Sequence, residues 1–191
     1  MRITKLGEEI LRQKAQPVLE EEINDELRAF FNEMFEAMEA ADGVGLAGPQ
    51  AGVSKRFFVV VADDGIRRVF INPQIISTSA DLLDYEEGCL SVPGVYETIK
   101  RPAKVTVQAL NERGRRFTLD ADGLLARIIQ HEYDHLEGIL FIDRGDPNFA
   151  EKTKQQFEKR AAKAEQKRLA REAKQKKIEA AKAKKAEKAG K

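Results

Sequence analysis

The chain has 191 residues, of which 42% are hydrophobic and 34% are charged, and its formal net charge at neutral pH is +1. This composition can bury a core, and no stretch approaches the roughly 18 apolar residues of a membrane helix, so a disordered chain and an integral membrane protein are excluded. The single cysteine, Cys89, excludes an intramolecular disulfide, and the first residues lack the apolar segment of a signal peptide. We expect a cytoplasmic protein that does not bind membranes.

The first two thirds of the chain predict a helix followed by several strands. Apolar residues between Leu27 and Met38 recur every three or four positions, which predicts a helix ending near Asp42-Gly43. Turn residues at 63–65 and 111–114 predict hairpins. The predicted strands are Phe57–Ala62, Arg67–Ile71, Ile75–Ser79, Leu82–Glu86, Val105–Leu110 and Arg115–Leu119.

A second helix is predicted to begin near Leu124, and the preceding Asp120-Ala121-Asp122-Gly123 offers a carboxylate that could cap its first turn. Gly138 is a plausible terminator of this helix. Leu124, Ile128 and the positions 131 and 135 are spaced so as to form one buried stripe. The order of these elements predicts an α+β fold.

The last segment has a different composition. From Glu151 onward it holds 16 Lys/Arg and 6 Glu, whereas the preceding 150 residues hold 17 Lys/Arg and 26 acidic residues. Its Ala, Lys, Glu and Gln residues favour a long helix. We therefore expect two domains, a catalytic domain at 1–146 and a basic tail at 147–191. The tail is interpreted either as a solvated helix or disordered segment, or as an arm that binds RNA phosphates.

Both histidines of the chain lie in the pentapeptide His131-Glu132-Tyr133-Asp134-His135. On a helix, residues four apart share a face, so His131 and His135 could bind one metal ion, while Glu132 could reach a metal-bound water. A catalytic metal site typically has three protein ligands and one open position. Cys89 is a better candidate for the third ligand than a carboxylate, although an inert buried thiol is the commoner fate of a lone cysteine.

Three segments together resemble the three motifs of the peptide deformylase family. They are Gly43-Val44-Gly45-Leu46-Ala47-Gly48-Pro49-Gln50, Glu87-Gly88-Cys89-Leu90-Ser91 and Gln130-His131-Glu132-Tyr133-Asp134-His135. The resemblance covers about residues 1–145. It implies antiparallel strands around a central metal-binding helix, followed here by a long basic C-terminal helix.

The resemblance also implies a reaction. The family removes the formyl group from the N-terminal methionine of newly synthesised polypeptides and releases formate, with a metal-bound water as nucleophile. By resemblance, Cys89, His131 and His135 are the metal ligands. The implied metal is ferrous iron, which zinc, nickel or cobalt can replace. Glu132 would act as base and then acid, and the Gln50 side chain and the Leu90 N–H would stabilise the oxyanion.

The substrate site follows from the same resemblance. The backbone of Val44-Gly45-Leu46 would pair with the substrate peptide as an added strand. Val44, Leu124 and Ile128 are candidates for lining a methionine pocket. Glu87 is grouped with these residues, and we expect it to orient His131.

Three positions depart from the family pattern. Gly48 replaces the usual alanine, which should loosen its loop slightly. Tyr96 stands where some members have an arginine that is thought to contact substrate. Arg127 stands near the methionine pocket where others are apolar, and its stem could still cover apolar surface.

The expected partners are formyl-methionyl nascent peptides and, through residues 151–191, the ribosome and its RNA, because C-terminal extensions in the family can dock near the exit tunnel. We expect a monomer. Two alternatives are a zinc endopeptidase, which would need a third ligand other than Cys89, and a non-catalytic ribosome-associated metal protein. The second would tolerate Glu132→Gln.

Overall fold

The structure is a computed structural model that describes the backbone of residues 1–189 and the side chains of residues 1–176. Its three α-helices are α1 (Asp25–Ala40), α2 (Gly123–Leu136) and α3 (Pro147–Ala189). Its strands are β1 (Gly45–Ala47), β2 (Phe57–Val61), β3 (Arg67–Thr78), β4 (Leu82–Cys89), β5 (Val92–Pro102), β6 (Lys104–Leu110) and β7 (Arg116–Asp122).

Five strands form one sheet in the order β1-β2-β3-β6-β7, and all neighbours are antiparallel. The strands β4 and β5 form a separate antiparallel pair. The sheet lies in the interior of the fold. Its strand β2 is apolar at every position, so both of its faces can be buried. Phe58 and Val60 pack in a cluster with α2, whereas Phe57 and Val59 pack with α1. Both faces of the sheet are therefore covered by a helix.

Helix α2 is the most deeply placed helix of the fold. It packs against β1, β2 and β7, and every residue from Ala126 to Leu136 is buried except the half-buried Tyr133. The predicted stripe was too narrow, since α2 is buried on nearly all sides and Leu124 is only half-buried. Gly138 adopts a left-handed conformation (φ +73°) directly after the helix, which confirms it as the terminator.

The predicted fold class is confirmed, with two differences in detail. Strand β3 continues through Asn72 and Pro73, where the sequence predicts a break. Asn72 has a φ of +49° and the register shifts between Ile71 and Gln74, so the proline sits at a bulge rather than a strand end. Strands β1 and β5 were not predicted.

Helix α3 spans Pro147–Ala189. The chain divides into two compact units, residues 1–151 and 152–191. The predicted boundary between 146 and 147 coincides with the start of the helix, and the division of function across it stays a prediction. Within residues 1–189, no helix is long and apolar enough to cross a membrane.

Candidate metal centre

Helix α2 and strand β4 bring three metal-ligating side chains together. His131 and His135 lie one turn apart on α2, and Cys89 is the last residue of β4. One ligand atom from each residue lies within 4.8 Å of the other two. His135 Nε2 is 3.3 Å from Cys89 Sγ. The structure thus joins the three residues that the sequence proposed as ligands.

Glu87 holds the ring of His131. Its Oε2 lies 2.9 Å from His131 Nδ1, which leaves Nε2 for a metal ion. Arg101 donates to both oxygens of the same carboxylate, and Arg127 donates to Oε1 at 2.9 Å. Burial alone would raise the pKa of Glu87, but the bonds from His131 and Arg101 hold it well below its usual value. Glu87 therefore stays ionised.

The ion pairs around Glu87 continue through Arg101, which also donates to Asp134 at 2.7 Å. Asp134 in turn accepts from Arg144. Both Arg101 and Asp134 are buried. The sequence analysis missed this network and the part that Arg127 has in it. Asp134 was the available signal, because an acidic residue inside a buried helix needs a cationic partner.

Arg127 is held by its guanidinium group. The group donates to Ile99 O and Leu83 O as well as to Glu87, and it lies over the ring of Tyr85 with 5.6 Å to the ring centroid. Only 7% of the residue is exposed. The guanidinium group of Arg127, which departs from the family pattern, is thus hydrogen-bonded to one carboxylate and two backbone carbonyls.

Glu132 is buried beside the ligands, and the effect of burial on its carboxyl outweighs the attraction of His131 and Arg101 for the charged form. Its Oε2 has no hydrogen-bond partner within the described part of the chain. Burial raises the pKa of this carboxyl to about 7. A Cβ on Gly45 would collide with Glu132 Oε1, so only glycine allows β1 to lie this close. The carboxylate is positioned to exchange a proton near neutral pH.

The amide of Gln50 points toward Cys89. Its Oε1 accepts from Ala47 N–H at 2.7 Å, which fixes the orientation of the group. Its Nε2 then lies 3.4 Å from Cys89 Sγ and 3.2 Å from Ser91 Oγ. Gln50 is 1% exposed, so its amide is buried beside the ligands rather than solvated.

The predicted substrate residues surround β1, an edge strand with only β2 as a sheet neighbour among the described residues. Val44 is exposed, Leu46 and Ile128 are buried, and Leu124 is half-buried. Ile128 Cγ2 would be 2.8 Å from a Cβ on Gly45. Of the candidate pocket residues on α2, Ile128 thus lies directly against the strand.

Tyr96 and Gly48 are the other two positions that depart from the family pattern. Tyr96 is 64% exposed and covers Gly88 with its ring. A Cβ on Gly48 would lie 2.6 Å from Lys55 O and 2.9 Å from Val53 O. Two backbone carbonyls therefore occupy the space that an alanine side chain would need, and the expectation of a looser loop at Gly48 stays a prediction.

The donor set fits a metal ion. One sulfur and two imidazoles are typical ligands of zinc and of similar first-row ions. Burial and the neighbouring His131 lower the pKa of His135 well below its usual value, which keeps this ligand neutral. Burial would also lower the pKa of His131, but its contacts with Cys89 and Glu87 raise it. A bound cation would replace the proton on His131.

Comparison with known proteins identifies the family. The model of the polypeptide deformylase family matches residues 1–151. The chain belongs to this family. It is 53% identical over 146 residues to a peptide deformylase of Treponema pallidum, which covers 76% of this chain and 88% of that protein. It is 49% identical over 146 residues to one of Fusobacterium nucleatum, with 76% and 84% covered.

Solved deformylase structures share the fold. A Synechococcus elongatus enzyme in complex with actinonin is 44% identical, with a TM-score of 0.76 over 82% of this chain and 85% of that chain. The Thermotoga maritima enzyme is 40% identical, with a TM-score of 0.72 over 76% and 97%. The prediction of a metal-dependent hydrolase that removes N-formyl groups is confirmed, and neither alternative from the sequence describes this family.

Proposed function

We propose that Glu132 moves the proton in the deformylase reaction and that Cys89, His131 and His135 hold the metal. The observation that carries this proposal is the unpaired Oε2 of Glu132 beside the three ligands. A metal ion bound there would supply Lewis acidity, which lowers the pKa of water toward neutrality. Glu132 would accept the proton of the attacking water and pass it to the departing amine.

Gln50 and Leu90 complete the proposed reaction centre. Attack on the formyl carbon places negative charge on its oxygen. The Nε2–H groups of Gln50 already point toward the ligands, and the Leu90 N–H directly follows Cys89 in the chain. Donors fixed before the reaction stabilise such an oxyanion, and the loss of one commonly lowers the rate about 10²–10³-fold.

The proposed substrate is the formyl-methionyl end of a newly synthesised polypeptide. Its backbone would add to the open edge of β1 at Val44-Gly45-Leu46. Its methionine side chain would lie against Val44, Leu124 and Ile128. Glu87 belongs to the metal side of the site, since its hydrogen bonds within the described part of the chain are with His131, Arg101 and Arg127. We assign Glu87 the role of positioning His131 rather than contacting the peptide.

Ferrous iron is the proposed native metal, as the resemblance to the family implies, with zinc, nickel or cobalt as replacements. A thiolate ligand requires a reducing compartment, which supports a cytoplasmic location. The protein is proposed to act as a monomer. A ribosomal contact is proposed for the basic residues of α3, whose charge suits RNA phosphates.

The test is formate release from a formyl-Met tripeptide by anaerobic, Fe²⁺-loaded protein. Glu132→Gln should lower kcat by about 10³-fold, within the range for a general base, while the metal content per chain is unchanged. Glu26→Gln, on the exposed start of α1, is the matched control. Parental kcat in Glu132→Gln would refute the assignment of Glu132, and no formate release by the loaded parent would refute the proposed substrate.

A further inference from the structure

Residues Thr4, Lys5 and Leu6, here called the clasp, contact both loops that carry the proposed oxyanion donors. Thr4 N–H donates to Gln50 O at 2.9 Å. The Thr4 hydroxyl lies 3.0 Å from Pro49 O and 3.2 Å from Gln50 O. Thr4 is only 3% exposed. Its hydroxyl is therefore a buried donor dedicated to the Gln50 loop.

The other side of the clasp contacts the loop after Cys89. Leu6 N–H donates to Ser91 O at 2.8 Å. Lys5 Nζ donates to Leu90 O at 2.7 Å. The carbonyl of Leu90 thus accepts from a charged donor at the protein surface.

The conformation of the clasp is itself fixed. Glu8 Oε1 accepts from Lys5 N–H at 2.7 Å, and Glu8 N–H donates back to Lys5 O at 3.0 Å. The Glu8 carboxylate also pairs with Arg2, and the bond from Arg2 lowers the pKa of Glu8. These two bonds close a turn between Lys5 and Glu8. The side chain of Lys5 extends from this turn, and its ammonium group contacts Leu90 O.

We propose that the clasp is a positioning element of the reaction centre, with Thr4 acting through Gln50 and Lys5 acting through Leu90. The inference rests on the proposed function, in which these two residues supply the oxyanion donors. The two loops contact each other directly through Gln50 Nε2 and Ser91 Oγ at 3.2 Å. The clasp adds a bond to the backbone on each side of that contact, so it sets the distance between the two donors.

A positioning role differs from general stabilisation in what it changes. An oxyanion donor acts in the transition state, so displacing it should lower kcat and leave KM nearly unchanged. The ligand cluster does not include any residue of the clasp. Zinc content and affinity should therefore stay as in the parent.

Thr4→Val and Lys5→Met remove the hydroxyl and the ammonium group while keeping most of each side chain's bulk. We expect each to lower kcat about tenfold, because sub-ångström displacement of a reacting group has effects of this order. KM and zinc per chain should change less than about twofold. Thr4→Ser and Lys5→Arg should restore most of the rate. Lys14→Met, which removes an exposed ammonium group paired with Glu137, is the control with parental kcat.

Repeating both substitutions in a Gln50→Ala variant shows through which oxyanion donor each clasp residue acts. If Thr4 acts through Gln50, Thr4→Val should have less than about a twofold effect in that background, whereas Lys5→Met should retain its tenfold effect. Equal effects of Thr4→Val in both backgrounds, or parental kcat in Thr4→Val and Lys5→Met, would overturn the clasp while leaving the proposed function intact. Parental kcat in Gln50→Ala itself would instead remove the proposed role of Gln50, and the clasp with it.

Discussion

Gly45 lies so close to Glu132 that a side chain at residue 45 would collide with the carboxylate. Gly45→Ala would place a methyl group against Glu132 Oε1 and 2.8 Å from Ile128 Cγ2. Glu132 is only 3% exposed, so its carboxylate would have to shift within the protein interior to make room for the methyl group. We expect kcat for formate release to fall about 100-fold, since a misplaced proton carrier has effects of that order, with zinc binding retained.

The control for Gly45→Ala is Gly114→Ala in the turn between β6 and β7. Gly114 has a φ of +73°, so its alanine variant should lose stability without a change at the site. Full activity in Gly45→Ala would mean that Glu132 is free to move, and the proposed proton transfer from a fixed position would be wrong.

The raised pKa of Glu132 gives a prediction on stability. Burial raises the pKa of its carboxyl to about 7 in the folded metal-free protein, compared with 4.5 for an ordinary glutamate. A folded pKa above the unfolded one contributes stability below pH 4.5 that is lost as the pH rises through 7. Relative to Glu132→Gln, the metal-free parent should therefore lose roughly 3 kcal/mol of unfolding free energy between pH 4.5 and 8.

Urea denaturation of both proteins in the presence of a chelator measures this difference. The protonated carboxyl and the amide of Gln are similar in size, so the two unfolding curves should nearly coincide at the acidic end. A difference between the two proteins that does not change with pH would show that Glu132 is solvated in solution.

The sequence was most informative about the histidines and the cysteine, because these residue types are rare in this chain. The chain has two histidines and one cysteine, and the structure brings all three together. It was least informative about Arg101, because arginine is common and the partners of Arg101 lie 14 and 33 positions away in the chain. Arg127 shows the same limit, since its three acceptors lie on β4 and β5, more than 25 positions away.

At the scale of secondary-structure elements, predictions from residue propensity were wrong where tertiary contacts determine the structure. Strand β5 was missed because Pro93 and Gly94 follow its first residue, Val92, and charged residues occur in its second half. One of those residues, Arg101, is buried against α2 by its ion pair with Asp134. The predicted capping carboxylate is not found, since Asp122 is the N-cap residue of α2 but its side chain makes no capping hydrogen bond. The helix is stabilised mainly by burial on nearly all sides.

Arg101 joins β5 to both α2 and β4, and Arg101→Met should show how much that junction contributes. The variant would leave Glu87 and Asp134 buried with fewer cationic partners. Removing one partner of a buried pair typically lowers the unfolding free energy by about 3–5 kcal/mol. The measurement is urea denaturation at neutral pH. Lys100→Met on the same strand is the control, because Lys100 is exposed and its nearest carboxylate, on Asp84, is 3.9 Å away.

Arg101→Met should also weaken zinc binding, because His131 depends on the orientation of Glu87. A loss of stability equal to that of Lys100→Met would contradict the role of the network as a junction. Unchanged zinc affinity in a destabilised variant would separate the two functions and limit Arg101 to a structural role.

At the scale of the whole molecule, the near-neutral net charge hides two regions of opposite sign. Residues 1–150 carry nine more acidic than basic residues, and residues 151–191 carry ten more basic than acidic ones. A catalytic unit of that sign is repelled by RNA, so any attraction to ribosomal RNA has to come from the basic segment. Its helical form was predictable from composition, whereas its partner was not, because solvation and RNA binding favour the same residues.

A full-length variant with the ten lysines and arginines between Lys152 and Lys176 changed to glutamine tests the ribosomal contact. Glutamine keeps helix propensity, so the charge changes while the helix remains. We expect ribosome affinity at 50 mM salt to fall at least about tenfold with a flatter salt dependence, because fewer counterions are released on binding. Formate release from a tripeptide should be unchanged. Changing Glu158, Glu165 and Glu172 to glutamine instead should leave ribosome binding equal or stronger. Equal affinity in all three proteins would exclude the ten substituted residues as the ribosomal contact.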